Sequence, residues 1–270
     1  MFTESFQSIV IATQRLFRNW RALIVMAVLY AGLLASLYLF VTIREATKSQ
    51  VAVTLLLAIL APLLFFLIQT TSACQADGVS PARLLKESLR NFWKVLTVTL
   101  PLIALAVLVL YVLSRAQNYI GATTPDLSNL PQHQIGAPNA GSRTTPWSVT
   151  MVTSIRYLFI GLVMPILAIH FWIAATKEGL FSVITRFKQI LIRALAPGSV
   201  LIYVTGLLVC GVIPYLILFK ATPSNRPWLE MGLFVGRLTI VFAMTLFGWV
   251  VTMAAMAESA ERRETGIEAL

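Results

Sequence analysis

Histidine and cysteine, the side chains best suited to metal binding and covalent catalysis, number two each in this 270-residue chain: His133, His170, Cys74 and Cys210. A zinc or other transition-metal site needs three or four such ligands at short, regular spacing. These four lie far apart, so no metal is expected, and both cysteines read as buried free thiols. The 11 acidic residues sit mostly at the ends of apolar runs, too scattered for the paired carboxylates of acid–base chemistry. No phosphate-binding loop, nucleophile elbow or dinucleotide fingerprint is present. The expectation is a protein that is not an enzyme and carries no cofactor.

What polar chemistry remains lies within apolar sequence, where a polar side chain is expensive and usually faces the interior of a helix bundle. Gln69 and His170 are the two leads. They either satisfy carbonyls of neighbouring helices, which is the reading preferred here, or line a polar centre for a substrate headgroup or a proton. Arg156 and Arg237, at the edges of two apolar runs, are expected to snorkel to headgroups; facing inward, they would instead contact an anion. Asp77, Glu178 and Glu258 close three apolar runs and are expected to cap or salt-bridge the helices that adjoin them.

The elements that hold these residues follow from composition. The chain is 58% hydrophobic and 12% charged, against about 45–50% and about 25% in a soluble domain, and its mean hydropathy is +0.81. A membrane-crossing helix needs about 20 apolar residues. Charge-free runs of that order occur at Ala22–Ile43, Val51–Ala76, Val95–Ser114, Tyr157–Thr176, Ala194–Phe219 and Leu238–Ala257. Backbone groups cannot stay unpaired in lipid, so each run is expected as a helix, with Pro62, Pro101, Pro165 and Pro214 as kinks. The first run is too long for a cleavable signal. The expected fold is all-α: one polytopic membrane domain spanning 1–270 with six transmembrane helices. Gly32, Ala35, Ser36, Gly206 and Gly211 are expected to permit close helix packing.

Lys and Arg set the orientation. Thirteen of the 21 lie in alternate connections that include both termini, and eight lie on the other side even with Arg156 and Arg237 counted there. Both termini are thus expected in the cytoplasm. The one long outer connection, 115–149, holds four prolines and reads as an extracytoplasmic loop. The net charge of +10 gathers in short clusters beside apolar runs rather than on a solvated face, which speaks for anionic lipid and against nucleic acid.

The inner connections are themselves amphipathic. Phe6, Ile9, Val10, Thr13, Phe17 and Trp20 share one helical face, away from Arg15 and Arg18. After Ser80-Pro81, a helix start, Leu85, Leu89, Phe92 and Trp93 face away from Arg83, Lys86, Arg90 and Lys94. Leu180, Val183, Ile184, Phe187, Ile190 and Leu191 oppose Arg186, Lys188 and Arg193. Such basic helices are expected to lie at the headgroups. Each leads into a pair of spans, so the unit is an interfacial helix plus a transmembrane hairpin, three times over (about 5–76, 80–176 and 180–258). Leu16–Leu23 (LFRNWRAL) aligns with Leu89–Leu96 (LRNFWKVL) without gaps, and Asp77-Gly78 matches Glu178-Gly179.

This pattern, an acidic residue and glycine ending a span, a basic amphipathic helix, then Trp93-Lys94 entering the next, resembles bacterial six-span proteins related to the membrane domain of some glycerophosphodiester phosphodiesterases. The third copy departs from it, with Ala196-Pro197-Gly198 at the Trp–basic junction. The resemblance implies the architecture and a bacterial inner-membrane location. The soluble catalytic barrel of those enzymes has no counterpart here. Function is expected to be that of a scaffold or accessory protein whose partners are anionic inner-leaflet lipids or another membrane protein. The alternative is a small transporter or lipid-handling permease with a polar cavity near Gln69 and His170.

Overall fold

The computed structural model describes residues 2–43, 47–74, 80–123, 147–220 and 226–268. They form helices and, among the described residues, no strand. In chain order these are α1 (Phe2–Arg18), α2 (Trp20–Thr42), α3 (Lys48–Ala73), α4 (Pro81–Thr123), α5 (Trp147–Leu158), α6 (Met164–Lys177), α7 (Leu180–Thr185), α8 (Phe187–Ala194), α9 (Pro197–Leu207), α10 (Ile213–Phe219) and α11 (Pro227–Glu268). Six helical stretches are long and apolar enough to cross a membrane: Trp20–Thr42, Lys48–Ala73, Pro81–Tyr119, Trp147–Lys177, Pro197–Phe219 and Trp228–Ala260. The chain is a multi-pass integral membrane protein.

Local chemistry explains the element ends. The Thr47 hydroxyl accepts from the Gln50 amide at 3.4 Å while the Gln50 side chain accepts from the Thr47 amide at 2.9 Å, a capping box at the start of α3. Proline occupies the first position of α4 and of α9, where its missing N–H leaves nothing unpaired. Pro62 and Pro101 lie within unbroken α-helix. Pro165 and Pro214 each follow a π-helical turn, Phe159–Val163 and Leu208–Val212. A proline has no N–H for the carbonyl four residues back and its ring presses on that carbonyl, so one widened turn ahead of it relieves both.

Helix α4 runs through the Trp93–Lys94 junction without a break. By contrast, α1 and α2 part at Asn19 (φ −107°, ψ 52°), and α8 and α9 part at Leu195–Ala196. The long connection between the third and fourth spans is also shorter than the sequence implied, since α4 continues through Arg115 to Thr123 and α5 begins at Trp147. Helical hydrogen bonding needs no apolar side chains, so the helix outlasts its apolar run.

The residues divide into two compact units, Met1–Thr99 with Ile166–Leu270, and Leu100–Pro165. The first contains nearly all of the core. Its helices are buried at the ends near the basic connections: Ala22 and Met26 at the start of α2, Ile68–Ala73 at the end of α3, Ile169–Ala175 in α6, Gly198 and Ser199 in α9, and Val250–Met253 in α11. A helix buried on every side is enclosed by neighbours. α11 packs on α1, α2, α3, α9 and α10. In the second unit no residue of Trp147–Val163 is buried.

Candidate functional site

Polar side chains are spread through the first unit's core, and most are satisfied locally. Thr70, Thr71, Ser88, Thr99 and Thr252 each donate to the carbonyl four residues back at 2.6–2.8 Å, as hydroxyls in apolar helices commonly do. Three further bonds join different spans. Trp249 Nε1 donates to Gln69 Oε1 at 2.8 Å, Trp172 Nε1 donates to Thr99 Oγ1 at 2.8 Å, and the Tyr30 and Thr245 hydroxyls meet at 3.0 Å. Pairing of this kind removes the penalty of placing an amide or indole N–H in an apolar environment.

Gln69 lines a groove of about 290 Å³ whose walls are Tyr30, Phe65, Tyr203, Leu207 and Trp249. The groove is almost wholly apolar, and the Gln69 carbonyl in it is taken by Trp249. Two glycines set its back wall. A side chain at Gly206 would collide with Thr252 Oγ1, and one at Gly248 would overlap Sγ and Cβ of Cys210, so the fifth and sixth spans approach closely here. Gly211 meets only Leu207 of its own helix, at 3.3 Å, and Gly32 meets Leu64 at 3.8 Å.

Three residues further along α3, about 4.5 Å by helix rise, the surroundings change character. Ser72, Cys74, Asn91, Thr176 and Asn19 line a cleft of about 500 Å³ with three cations, Arg15, Arg90 and Lys177, and two carboxylates, Glu87 and Glu258. Arg15 bridges to Glu258 at 2.6 Å, tying α1 to α11. The Asn91 amide donates to Cys74 Sγ at 3.5 Å. Burial pushes the Cys74 thiol above its ordinary pKa, and the Asn91 donor only partly offsets this. Ser72 and Asn91 are 5% and 6% exposed, and Ser72 Oγ and Asn91 Oδ1 have no hydrogen-bond partner among the described residues.

The residues singled out from sequence fall in different places. His170 is buried on α6 and lines a small pocket of about 40 Å³ with Lys177, Glu178 and Arg193, whereas Gln69 lines the groove. Arg156 is exposed on α5. Arg237 donates to the carbonyl of Lys220. Glu178 accepts from Ser182 at 2.6 Å and pairs with Arg186 at 3.3 Å, bracing the start of α7. Arg83 pairs with Glu87 at 3.0 Å, while Arg18, Lys86 and Lys188 are exposed and Lys94 is half-buried. Asp77 and His133 lie outside the described residues. Ser72, Asn91, Trp249 and Gly248 were not singled out beforehand. The recurring Arg-Asn beside Trp, Arg18-Asn19 and Arg90-Asn91, was the available signal, since both asparagines line the cleft.

Among the described residues no three His, Cys, Asp or Glu side chains gather as a metal set. Comparison with protein-family models, curated proteins and solved structures finds no match.

Proposed function

We propose that this is a non-enzymatic scaffold or accessory protein of the bacterial inner membrane, which organises inner-leaflet lipids or a partner membrane protein. Both termini are cytoplasmic in this reading. α1, the first turns of α4, and α7–α8 are its three interfacial helices, and the interfacial helix plus hairpin is its repeating unit. The resemblance to the six-span membrane domain found with some glycerophosphodiester phosphodiesterases fits the same picture.

The observation that carries the proposal is the distribution of exposure around those helices. Each has a buried strip: Ser8, Ala12 and Leu16; Leu84, Ser88 and Asn91; Val183, Ile190 and Ala194. Beside each strip stand large apolar side chains with nothing over them, of which Phe6 (68% exposed), Trp93 (69%) and Phe181 (81%) are the extremes. Arg and Lys flank them. A helix with a protein-facing strip, a bare apolar strip and a basic strip is matched by acyl chains and anionic headgroups together. The scaffold reading is favoured over a permease because Gln69 and His170 line separate pockets and the Gln69 carbonyl is already bonded.

The test replaces Arg83, Lys86, Arg186, Lys188 and Arg193 with Gln and leaves Arg15, Arg90 and Lys177 in place. At roughly 1 kcal/mol per basic residue near an anionic surface, the ratio of anionic to zwitterionic lipid retained on purification should fall at least about threefold. An unchanged ratio, with unchanged recovery of any partner protein, overturns the proposal.

A further inference from the structure

The groove and the cleft are neighbours of opposite character, and both lie within the first unit. Gln69 belongs to one and Ser72 to the other on α3; Thr252 and Ala254 stand in the same relation on α11. An apolar slot one turn from a charged, hydrogen-bonding chamber is shaped for an amphiphile. We propose that together they hold one phospholipid, one of its acyl chains along Phe65, Tyr203 and Leu207 and its headgroup in the cleft. The headgroup class is a phosphodiester that carries an N–H or O–H donor beyond the phosphate. This deepens the lipid-organising reading above and rests on it.

Charge gives the phosphate. Three cations and two carboxylates share the cleft wall, and with Arg15 bridged to Glu258 and Glu87 paired with Arg83 the positive charge of Arg90 and Lys177 suits an anion. The unsatisfied atoms give the donor. Five other buried hydroxyls of this unit bond back to their own helix, but Ser72, also buried, does not. Asn91 gives its N–H to Cys74 and leaves its carbonyl oxygen bare. A buried polar atom without a partner is strongly disfavoured; the Ser72 hydroxyl can take either role, while the Asn91 oxygen can only accept and so needs a donor. Phosphoethanolamine and phosphoglycerol headgroups supply one; phosphocholine has the same phosphate and none.

The experiment uses the full chain in detergent micelles doped with phosphoethanolamine and phosphocholine lipids of identical acyl chains, with native mass spectrometry as readout. Both lipids are zwitterionic, so bulk attraction to the basic helices does not enter. The phosphoethanolamine lipid should be retained over phosphocholine by at least about tenfold. Asn91→Leu should bring that ratio to within about twofold of unity, and Ser72→Ala, a smaller change that keeps the core packed, should lower it in the same direction. Leu207→Trp, which fills the groove, should reduce retention of both lipids alike. A ratio near unity in the unaltered protein, or one that neither cleft variant moves, overturns this proposal and leaves the anionic-lipid result of the five-residue variant standing. An anionic-lipid ratio that does not fall in the five-residue variant, with the tenfold preference intact, would overturn the broader reading instead.

Discussion

The close approach of the last two spans at Gly248 offers a sharp test of how this bundle is held together. A Cβ added at Gly248 would overlap both Sγ and Cβ of Cys210 and would lie 3.5 Å from its Cα. No rotamer of Cys210 moves its Cβ, so Gly248→Ala must push the fifth span away from the sixth by on the order of 1 Å, a gap that forfeits a quarter to a half of each contact's attraction. Overpacking typically costs about 1–3 kcal/mol, and the backbone-rooted overlap puts this case near about 3 kcal/mol. At about 2–4 °C per kcal/mol for a domain of 150–250 residues, the melting temperature in micelles should drop by about 6–12 °C. The geometry also orders the rescues. Cys210→Ala removes only the sulfur and should recover little, whereas Cys210→Gly removes both overlapping atoms and should recover most of the loss, with a coupling of about 1–3 kcal/mol in a double-mutant cycle. Gly232, on the same helix, has nothing within 4 Å of an added Cβ, so Gly232→Ala should be neutral or up to about 1 kcal/mol stabilising. If Gly248→Ala melts like Gly232→Ala, or if alanine at 210 rescues as fully as glycine, this packing argument is wrong.

Other positions test other terms. Gly179 joins α6 to α7 at φ 90° and ψ 169°, a region open almost only to glycine, so Gly179→Ala should cost about 1–3 kcal/mol in the same melt although nothing stands within 4 Å of the added methyl. Asparagine should not rescue it, because that ψ lies outside the left-handed helical region asparagine tolerates. Trp249→Phe leaves the Gln69 carbonyl without its donor and should cost about 1–2 kcal/mol; adding Gln69→Leu should restore part of that, and additive losses would show the bond to be incidental. In a Cys210→Ser background, Cys74 should react slowly with maleimide at neutral pH. Its rate should climb at a higher pH than that of a surface thiol, because burial raises its pKa. A rate equal to the surface thiol's would refute the half-buried placement of Cys74.

The six spans were legible because the signal is compositional: a charge-free run of sufficient length needs no knowledge of its neighbours. The ends were less so, because a helix started in lipid can continue over polar residues such as those of Arg115–Thr123, whose backbone bonds need no apolar side chains. Pairing was not legible at all. Gln69 and Trp249 are 180 positions apart, and only the order in which helices pack brings them together. Placing Gln69 and His170 about one polar cavity rested on their positions within two apolar runs and carried no information about which way each side chain faces. Gly206 could be recognised as a contact residue by size, but its partner Thr252 could not, and Gly248 passed unnoticed inside an apolar run.

The uneven distribution of burial has a physical origin. Lipid tails are as apolar as leucine, so apolar area alone gives transmembrane helices little reason to associate. Close contact and hydrogen bonding must do it, and both demand small and hydroxylated residues. These are Ser8, Ser36, Thr70, Thr71, Ser88, Thr99, Ser199 and Thr252, all buried, with Gly206 and Gly248 between the last two spans. Most of them stand at the ends of the spans beside the basic connections, and there the core forms. Trp147–Val163, in the other unit, has no buried residue. A bundle tied at one end by polar contacts can hold buried, incompletely bonded groups such as Ser72 and Asn91 in fixed positions, because neighbouring bonds anchor the helices that carry them. That rigidity makes a defined headgroup site at the tied end physically reasonable, and it locates selectivity in the cleft rather than in the apolar groove.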